Sequence, residues 1–302
     1  MTIDRALNIL VTITLIAMMV ATGLGVRFSE IAAVAKDRRL VVRGIVANYG
    51  LVPAVTVVLL LLFRAESMVA VGFLILAVCP GARFGPPVTT IAGGKVAFSI
   101  ELMVILASAS AVVSPLLLRA TLALVARNGP LHVIAGRMVT TLLVSQLLPL
   151  LVGLVMRQWR ANWADALQRP ANLASKILNL VAVVFILAAH FRMLAHIRLI
   201  GFAGMLALLI STLAIGWILG GSDNQSRRSL PLVTSLRNVG VGLIIAAGAF
   251  AGTPAVSAVL SYGTVEVPGS LLLAMWWGRQ PSAGIGIPKG AAAWVANYPS
   301  FI

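Results

Sequence analysis

Four ionisable residues stand inside long apolar runs: Arg83, Glu101, Arg237 and Glu266. A charge at membrane depth costs at least about 2.5–3.5 kcal/mol on insertion scales, so such residues face a cavity or one another. Two arginines and two glutamates sum to zero charge, which predicts internal pairing. Their types define the chemistry open to them. A guanidinium stays charged and forks onto an anionic group such as a carboxylate or sulfonate. A carboxyl beside it balances that charge or carries a proton. Covalent and metal chemistry find no comparable set. The single cysteine, Cys79, leaves no intrachain disulfide and no Cys-based zinc site, and His132, His190 and His196 are scattered. No Ser/His, Cys/His or nucleotide-loop pattern stands out, so no metal, no cofactor and no enzymatic activity are expected.

The elements that must hold these residues follow from composition. Of 302 residues, 60% are hydrophobic and 10% charged, whereas a soluble domain carries about 45–50% and about 25%. With a mean hydropathy of +1.02, there is too little polar side chain to cover a water-facing surface. The net charge of +15 raises nucleic acid as a partner, but the basic residues sit in short loops between apolar runs, without a compact basic domain. They read as topology signals and contacts to anionic lipid.

Nine apolar runs approach the roughly 20 residues that span a 30 Å hydrocarbon core: about 6–27, 40–63, 67–93, 96–118, 138–156, 171–191, 199–220, 230–251 and 254–278. Continuous runs of this length predict helices rather than barrel strands. With the N-terminus outside, Lys and Arg divide fourteen to seven between the two sets of loops and helix ends. The richer set is then cytoplasmic, together with the Gly/Ala/Pro-rich tail 279–302. The chain reads as a multi-pass protein of the cell (inner) membrane.

Two spans are irregular. The third carries Cys79-Pro80-Gly81-Ala82-Arg83-Phe84-Gly85-Pro86-Pro87, and proline removes a helical donor and clashes with the preceding turn. The eighth carries Ser235-Leu236-Arg237-Asn238-Val239-Gly240, a polar, glycine-bearing centre. Expected breaks therefore fall at Pro80, Gly81, Gly85, Pro86, Pro87 and Gly240. Interrupted helices at corresponding places in two halves point to a transporter binding site. Asn238 adjoins Arg237 at a break. Asn48, Thr89, Thr90, Ser99, Gln146 and Asn179 are weaker candidates, since a lone polar residue in a span more often joins two helices.

The stretch from Gly72 through Val78-Cys79-Pro80-Gly81, followed by Ala92-Gly93-Gly94-Lys95-Val96-Ala97-Phe98-Ser99, resembles the bile acid:sodium symporter family. That family has a Cys-Pro-Gly-Gly break and then an Ala-Arg-Gly-Asp/Asn-Val-Ala-Leu-Ser helix start. Arg237-Asn238-Val239-Gly240 looks like its Gln-Asn-Ser-Gly, and Pro268-Gly269-Ser270-Leu271-Leu272 like its Ser-Gly-Ser/Pro-Leu-Leu run. Met18 to Gly25 matches a loose Met-Gly-Leu stretch. The resemblance implies an all-α inverted-repeat transporter fold with two crossing broken helices. It implies one transmembrane domain over 1–278, with core helices at about 40–118 and 199–278. Panel helices would be 6–27, 138–156 and 171–191. It further implies an organic-anion substrate, usually moved with sodium.

The departures fall on the sodium ligands. Where the family has a Thr-Ala-Ser-Asn run, this chain reads Arg83-Phe84-Gly85-Pro86. A family glutamate falls on Val233, a glutamine on Arg237, a threonine on Met103 and another glutamine on Asn48, while Ser99 is kept. Sodium needs several oxygen ligands, and two of these positions now carry fixed positive charge. The expectation is an anion carrier without the usual sodium sites. Arg83, Arg237, Asn238, Asn48, Thr89 and Ser99 would meet substrate, and Glu101 and Glu266 would balance charge or carry protons. The rival readings are a sodium-coupled symporter, a membrane sensor that kept the fold and lost flux, and a metalloid carrier suggested by Cys79.

Overall fold

The computed structural model describes residues 3–25, 38–82, 84–125, 147–194, 199–250 and 252–280. The described residues are helical, with no strand among them. In chain order the helices are α1 (Ile3–Gly25), α2 (Arg38–Leu62), α3 (Ser67–Ala77), α4 (Gly85–Ile91), α5 (Val96–Val125) and α6 (Leu147–Trp159). They continue with α7 (Ala161–Leu194), α8 (Leu199–Leu219), α9 (Asn224–Ser235), α10 (Val239–Ala249) and α11 (Pro254–Arg279).

Five segments are long and apolar enough to cross a membrane: α2, α5, α8, α9 with α10, and α11. Their outer faces carry exposed apolar side chains such as Leu62, Ile210, Ile218 and Leu272, the pattern of helices solvated by lipid. α1, α3 and α6 contribute shorter apolar helices. The tail 281–302 and the first part of the fifth expected span lie outside the described residues.

The boundaries differ from the sequence reading at three places. The third span divides into α3 and α4, but Gly85, Pro86 and Pro87 do not sit in the break. They open α4, where a proline's missing N–H leaves no helical acceptor unmet. Gly240 likewise lies in the first turn of α10, and its break is Leu236–Asn238. The sixth span, expected from 171, begins ten residues earlier as α7 with Pro170 inside it. Its exposed early turns carry Asp165 and Gln168, which Arg157 of α6 engages. Arg157 donates to Asp165 Oδ1 at 2.6 Å, to Gln168 Oε1 at 2.8 Å and to the Leu24 carbonyl of α1 at 2.5 Å. Thus Arg157, which looks in sequence like a loop charge, is a buried clasp over α1, α6 and α7. Gly23 and Gly153 let α1 and α6 approach so closely that a methyl on either would collide with the other's backbone.

The main apolar core joins α3 (Leu74, Ile75, Leu76), α10 (Leu243, Ile244, Ile245) and α11 (Val256, Val259, Leu260), reaching Met18 and Met19 of α1. α11 packs along α3, α8 along α9, and α1 along both α7 and α10. At one end of the bundle a clamp fixes the α4–α5 joint against the start of α9. The Lys95 amide donates to Ser229 Oγ at 2.6 Å, Arg228 Nη1 donates to the Ala92 carbonyl at 3.0 Å, and Lys95 Nζ lies 3.0 Å from Asp223 Oδ2. Asp223 also caps α9 by accepting the Ser226 N–H. The Lys95 ammonium holds the Asp223 carboxyl below the usual carboxylate range.

Candidate binding site at the crossing of two helix breaks

The first break runs from Val78 to Phe84, with Arg83 outside the described residues. Pro80 has no N–H to continue α3, and Gly81 sits at φ +86°, which favours glycine. A Cβ there would also stand 2.7 Å from the Ala107 amide of α5. Ser114 of α5 donates to the Val78 carbonyl freed by the break. The second break, Leu236–Asn238, contains neither proline nor glycine. Its backbone donors find partners elsewhere. The Asn238 amide donates to the Cys79 carbonyl at 2.9 Å, so the two breaks touch directly. The Arg237 amide donates to Glu266 Oε1 of α11 at 3.1 Å. The Asn238 side chain accepts the Val241 N–H and caps α10.

Around this crossing the expected residues divide clearly. Arg237 is 3% exposed and Glu266 and Asn48 are fully buried. Arg237 Nη1 donates to Asn48 Oδ1 at 3.1 Å, and Asn48 Nδ2 donates to the Gly44 carbonyl at 2.9 Å. The guanidinium's Nε and Nη2 have no hydrogen-bond partner, nor does Glu266 Oε2. The internal pairing expected of the arginines and glutamates takes the form, at Arg237 and Glu266, of a backbone contact. The carboxylate spends one oxygen on the backbone N–H that the break exposes, and the guanidinium turns to α2. Glu101 is half-buried, and no hydrogen bond or ion pair joins it to another described residue. Thr89 and Ser99 come together, their hydroxyls 3.0 Å apart and fully buried, with Thr89 also donating to the Gly85 carbonyl. They join α4 to α5, and no hydrogen bond links either to Arg237.

Sequence reasoning named Asn48 and Asn179 as weaker candidates without their settings, and it missed Tyr49 and the pairing of Ser235 with Ser270. Asn48 lies in a π turn, Ala47–Leu51, within α2. Pro53 follows it and cannot donate an amide to Tyr49, and a π turn of this kind re-aims a helix face. Polar Asn48 ahead of Pro53 in an apolar run was the available signal. Tyr49 anchors the turn by donating to the Leu106 carbonyl at 2.6 Å. Ser235, last in α9, shares a buried 2.9 Å hydrogen bond with Ser270 of α11. From α7, Asn179 approaches the second break so closely that a Cβ on Gly240 would stand 2.7 Å from its Oδ1. That oxygen is buried and has no hydrogen-bond partner. Cys79 is buried and free, and it contributes its carbonyl to the crossing.

This arrangement can hold an anion. It combines a buried guanidinium with unused donors, the N-terminus of α10 and a carboxylate that can take up charge. Among the described residues no group of three or more His, Cys, Asp or Glu is placed to hold a metal ion.

The model of one protein family, described as the Sodium Bile acid symporter family, matches residues 12–215. The match ends within α8, before the second break. An uncharacterized sodium-dependent transporter of Bacillus subtilis (strain 168), YocS, is 24% identical over 274 residues, covering 88% of this chain and 82% of the relative. The hepatic sodium/bile acid cotransporter of Rattus norvegicus is 22% identical over 250 residues, covering 78% of this chain and 66% of its own length. Two thirds of the chain, broken third span included, fits the family model, and the chain belongs to the Sodium Bile acid symporter family, whose members are membrane transporters and not enzymes.

Proposed function

We propose that this protein carries a small organic anion across the membrane by alternating access, without the family's usual sodium sites. One observation supports this most. The buried Arg237 guanidinium stands at the crossing of the two breaks with Nε and Nη2 unpaired. A permanently charged group at that place repels sodium and attracts a carboxylate or sulfonate. The N-terminal end of α10, which Asn238 caps, adds partial positive charge, and Asn48 orients the guanidinium.

In this reading α1, α6 and α7 form the panel, clasped by Arg157, and the remaining helices form the core. Asn179 then packs on Gly240 where panel meets core, beside the site at which the substrate would bind. The N-terminus lies outside, the tail 279–302 in the cytoplasm, and the membrane is the cell membrane.

A sodium-coupled symporter is the second reading. The names of both relatives support it, as do the buried Thr89–Ser99 hydroxyl pair and the unpartnered Glu266 Oε2. Flux of a panel of radiolabelled organic anions into proteoliposomes, with sodium and proton gradients imposed separately, decides between them. Sodium-independent flux that Arg237→Ala reduces at least about a hundredfold, roughly the loss of one strong buried charge contact, is the expected result. Flux that requires sodium establishes the second reading. Anion binding without flux would indicate a sensor that kept the fold.

A further inference from the structure

Resting on that transport reading, we infer that Glu266 takes up one proton for each anion that Arg237 binds, which makes the carrier an electroneutral proton–anion symporter. The argument is charge balance in a buried cluster. Arg237 and Glu266 are respectively 3% and 0% exposed, and they interact through the Arg237 amide bonded to Oε1. The titratable groups around them are Tyr262 on α11, Cys79 in the first break and Tyr49 on α2. Among the described residues none is a second cation or a second carboxylate. With Glu266 ionised, Arg237 and Glu266 together are neutral. A monoanion seated on the free Nε and Nη2 donors turns that balance to minus one, at a depth where an uncompensated charge is heavily penalised.

One atom is placed to correct it. Glu266 Oε2 is buried and accepts nothing, so a proton can add to its lone pair and convert the carboxylate to the acid. Oε1 meanwhile keeps the Arg237 N–H, and the break stays intact. The proton comes from the side on which the anion binds and leaves with it on the other. The loaded cluster then contains guanidinium, anion and neutral acid, and the empty cluster contains guanidinium and carboxylate. Both are neutral, so neither form meets an electrostatic barrier on crossing. The alternative acid is Glu101, which is half-buried and joined to no described group. Protonating it does nothing for the charge at Arg237.

The test uses the full chain and taurocholate, whose sulfonate stays ionised and cannot carry the proton itself. Proteoliposomes at internal pH 7.5 are diluted into sodium-free buffer at pH 7.5 or 6.0, with the membrane potential clamped by potassium and valinomycin. The expected result is accumulation only with the proton gradient, approaching about tenfold per pH unit for one-to-one coupling and unchanged by the clamped potential. In weakly buffered detergent solution, wild-type protein takes up one proton per taurocholate bound, and this readout does not depend on any variant folding. Glu266→Gln abolishes both the gradient-driven accumulation and the proton uptake. Several results overturn the inference while leaving the transport reading intact: flux indifferent to the proton gradient, flux driven by potential, binding without proton uptake, or loss of coupling in Glu101→Gln but not in Glu266→Gln. Absence of taurocholate flux under every gradient counts against the transport reading itself and removes this inference with it.

Discussion

The two helix breaks meet through one hydrogen bond but are built in opposite ways. The first is written into its own residues. Pro80 cannot continue the α3 hydrogen-bond ladder, and Gly81 takes a left-handed conformation that other residues avoid. The second has ordinary residues at Leu236, Arg237 and Asn238, with the ψ angles of Leu236 and Asn238 at 113° and 74°. Nothing in that tripeptide forbids a helix. The backbone leaves the helix because other elements accept its donors: Glu266 for the Arg237 N–H and the Cys79 carbonyl for the Asn238 N–H. A break made by covalent geometry persists whatever surrounds it. A break made by borrowed acceptors depends on its neighbours. Arg237 is on the dependent one, where movement of α11 or of the first break would alter it directly.

This contrast predicts that the second break is the more fragile of the two. The largest effect is expected from Glu266→Leu, which strands the Arg237 amide and leaves a buried guanidinium without a compensating charge. Removing one partner of a buried charge pair costs about 3–5 kcal/mol. The detergent-solubilised variant should show a large drop in thermal midpoint. Gly81→Ala should follow at about 2–3 kcal/mol, combining the left-handed penalty with overpacking against the Ala107 amide. An equal or reversed order in the same thermal unfolding assay would end the distinction between the two breaks.

The two breaks were unequally legible for the same reason. Pro80 and Gly81 act through their own backbones, so the first break could be located from sequence nearly to the residue. Reading Gly85, Pro86 and Pro87 as part of it was an overreach, because proline also suits the first turn of a helix and α4 uses it so. At the second break, Arg237 and Asn238 stood out as polar residues in an apolar run. Their partners did not, because Glu266, Asn48 and Cys79 are brought to them by folding across long stretches of chain. The internal pairing expected of the two arginines and two glutamates came from counting charges, and a count cannot see that an exposed amide competes for the Glu266 carboxylate. Five of the nine expected spans, at α2, α5, α8, α9 with α10, and α11, were legible because hydropathy over about 20 residues is a strong signal. The start of α7 was not, because its first turns are polar and Pro170 suggested a beginning where the helix simply continues.

The flank of the second break offers a finer test. Ser235 and Ser270 are buried and satisfy each other at 2.9 Å. Either serine changed alone to alanine leaves one hydroxyl unpaired and should cost about 1 kcal/mol, whereas the double change should cost less than the two together. A double-mutant cycle on thermal stability measures that coupling. Strict additivity would mean that α11 does not support the end of α9 through this bond.

The smallest effect belongs to the clamp that both broken spans share at one end. Lys95 Nζ lies 3.0 Å from Asp223 Oδ2, with the side chains 39% and 52% exposed. Solvent therefore screens the pair, and Lys95→Met should cost no more than about 0.2–1 kcal/mol. Its pH dependence has a definite sign. Lys95 depresses the folded-state pKa of Asp223, so the pair's contribution is complete above the unfolded value near ~3.9 and is lost as pH falls through the lower folded value. Wild type and Lys95→Met should thus differ by a constant small amount between neutral pH and about pH 5, and converge below about pH 4. Added salt should shrink the gap. A gap that persists at low pH and high salt would assign the clamp to the backbone bonds from Lys95 to Ser229 and from Arg228 to Ala92. Those bonds do not titrate, and they would then hold the two broken spans together at every pH.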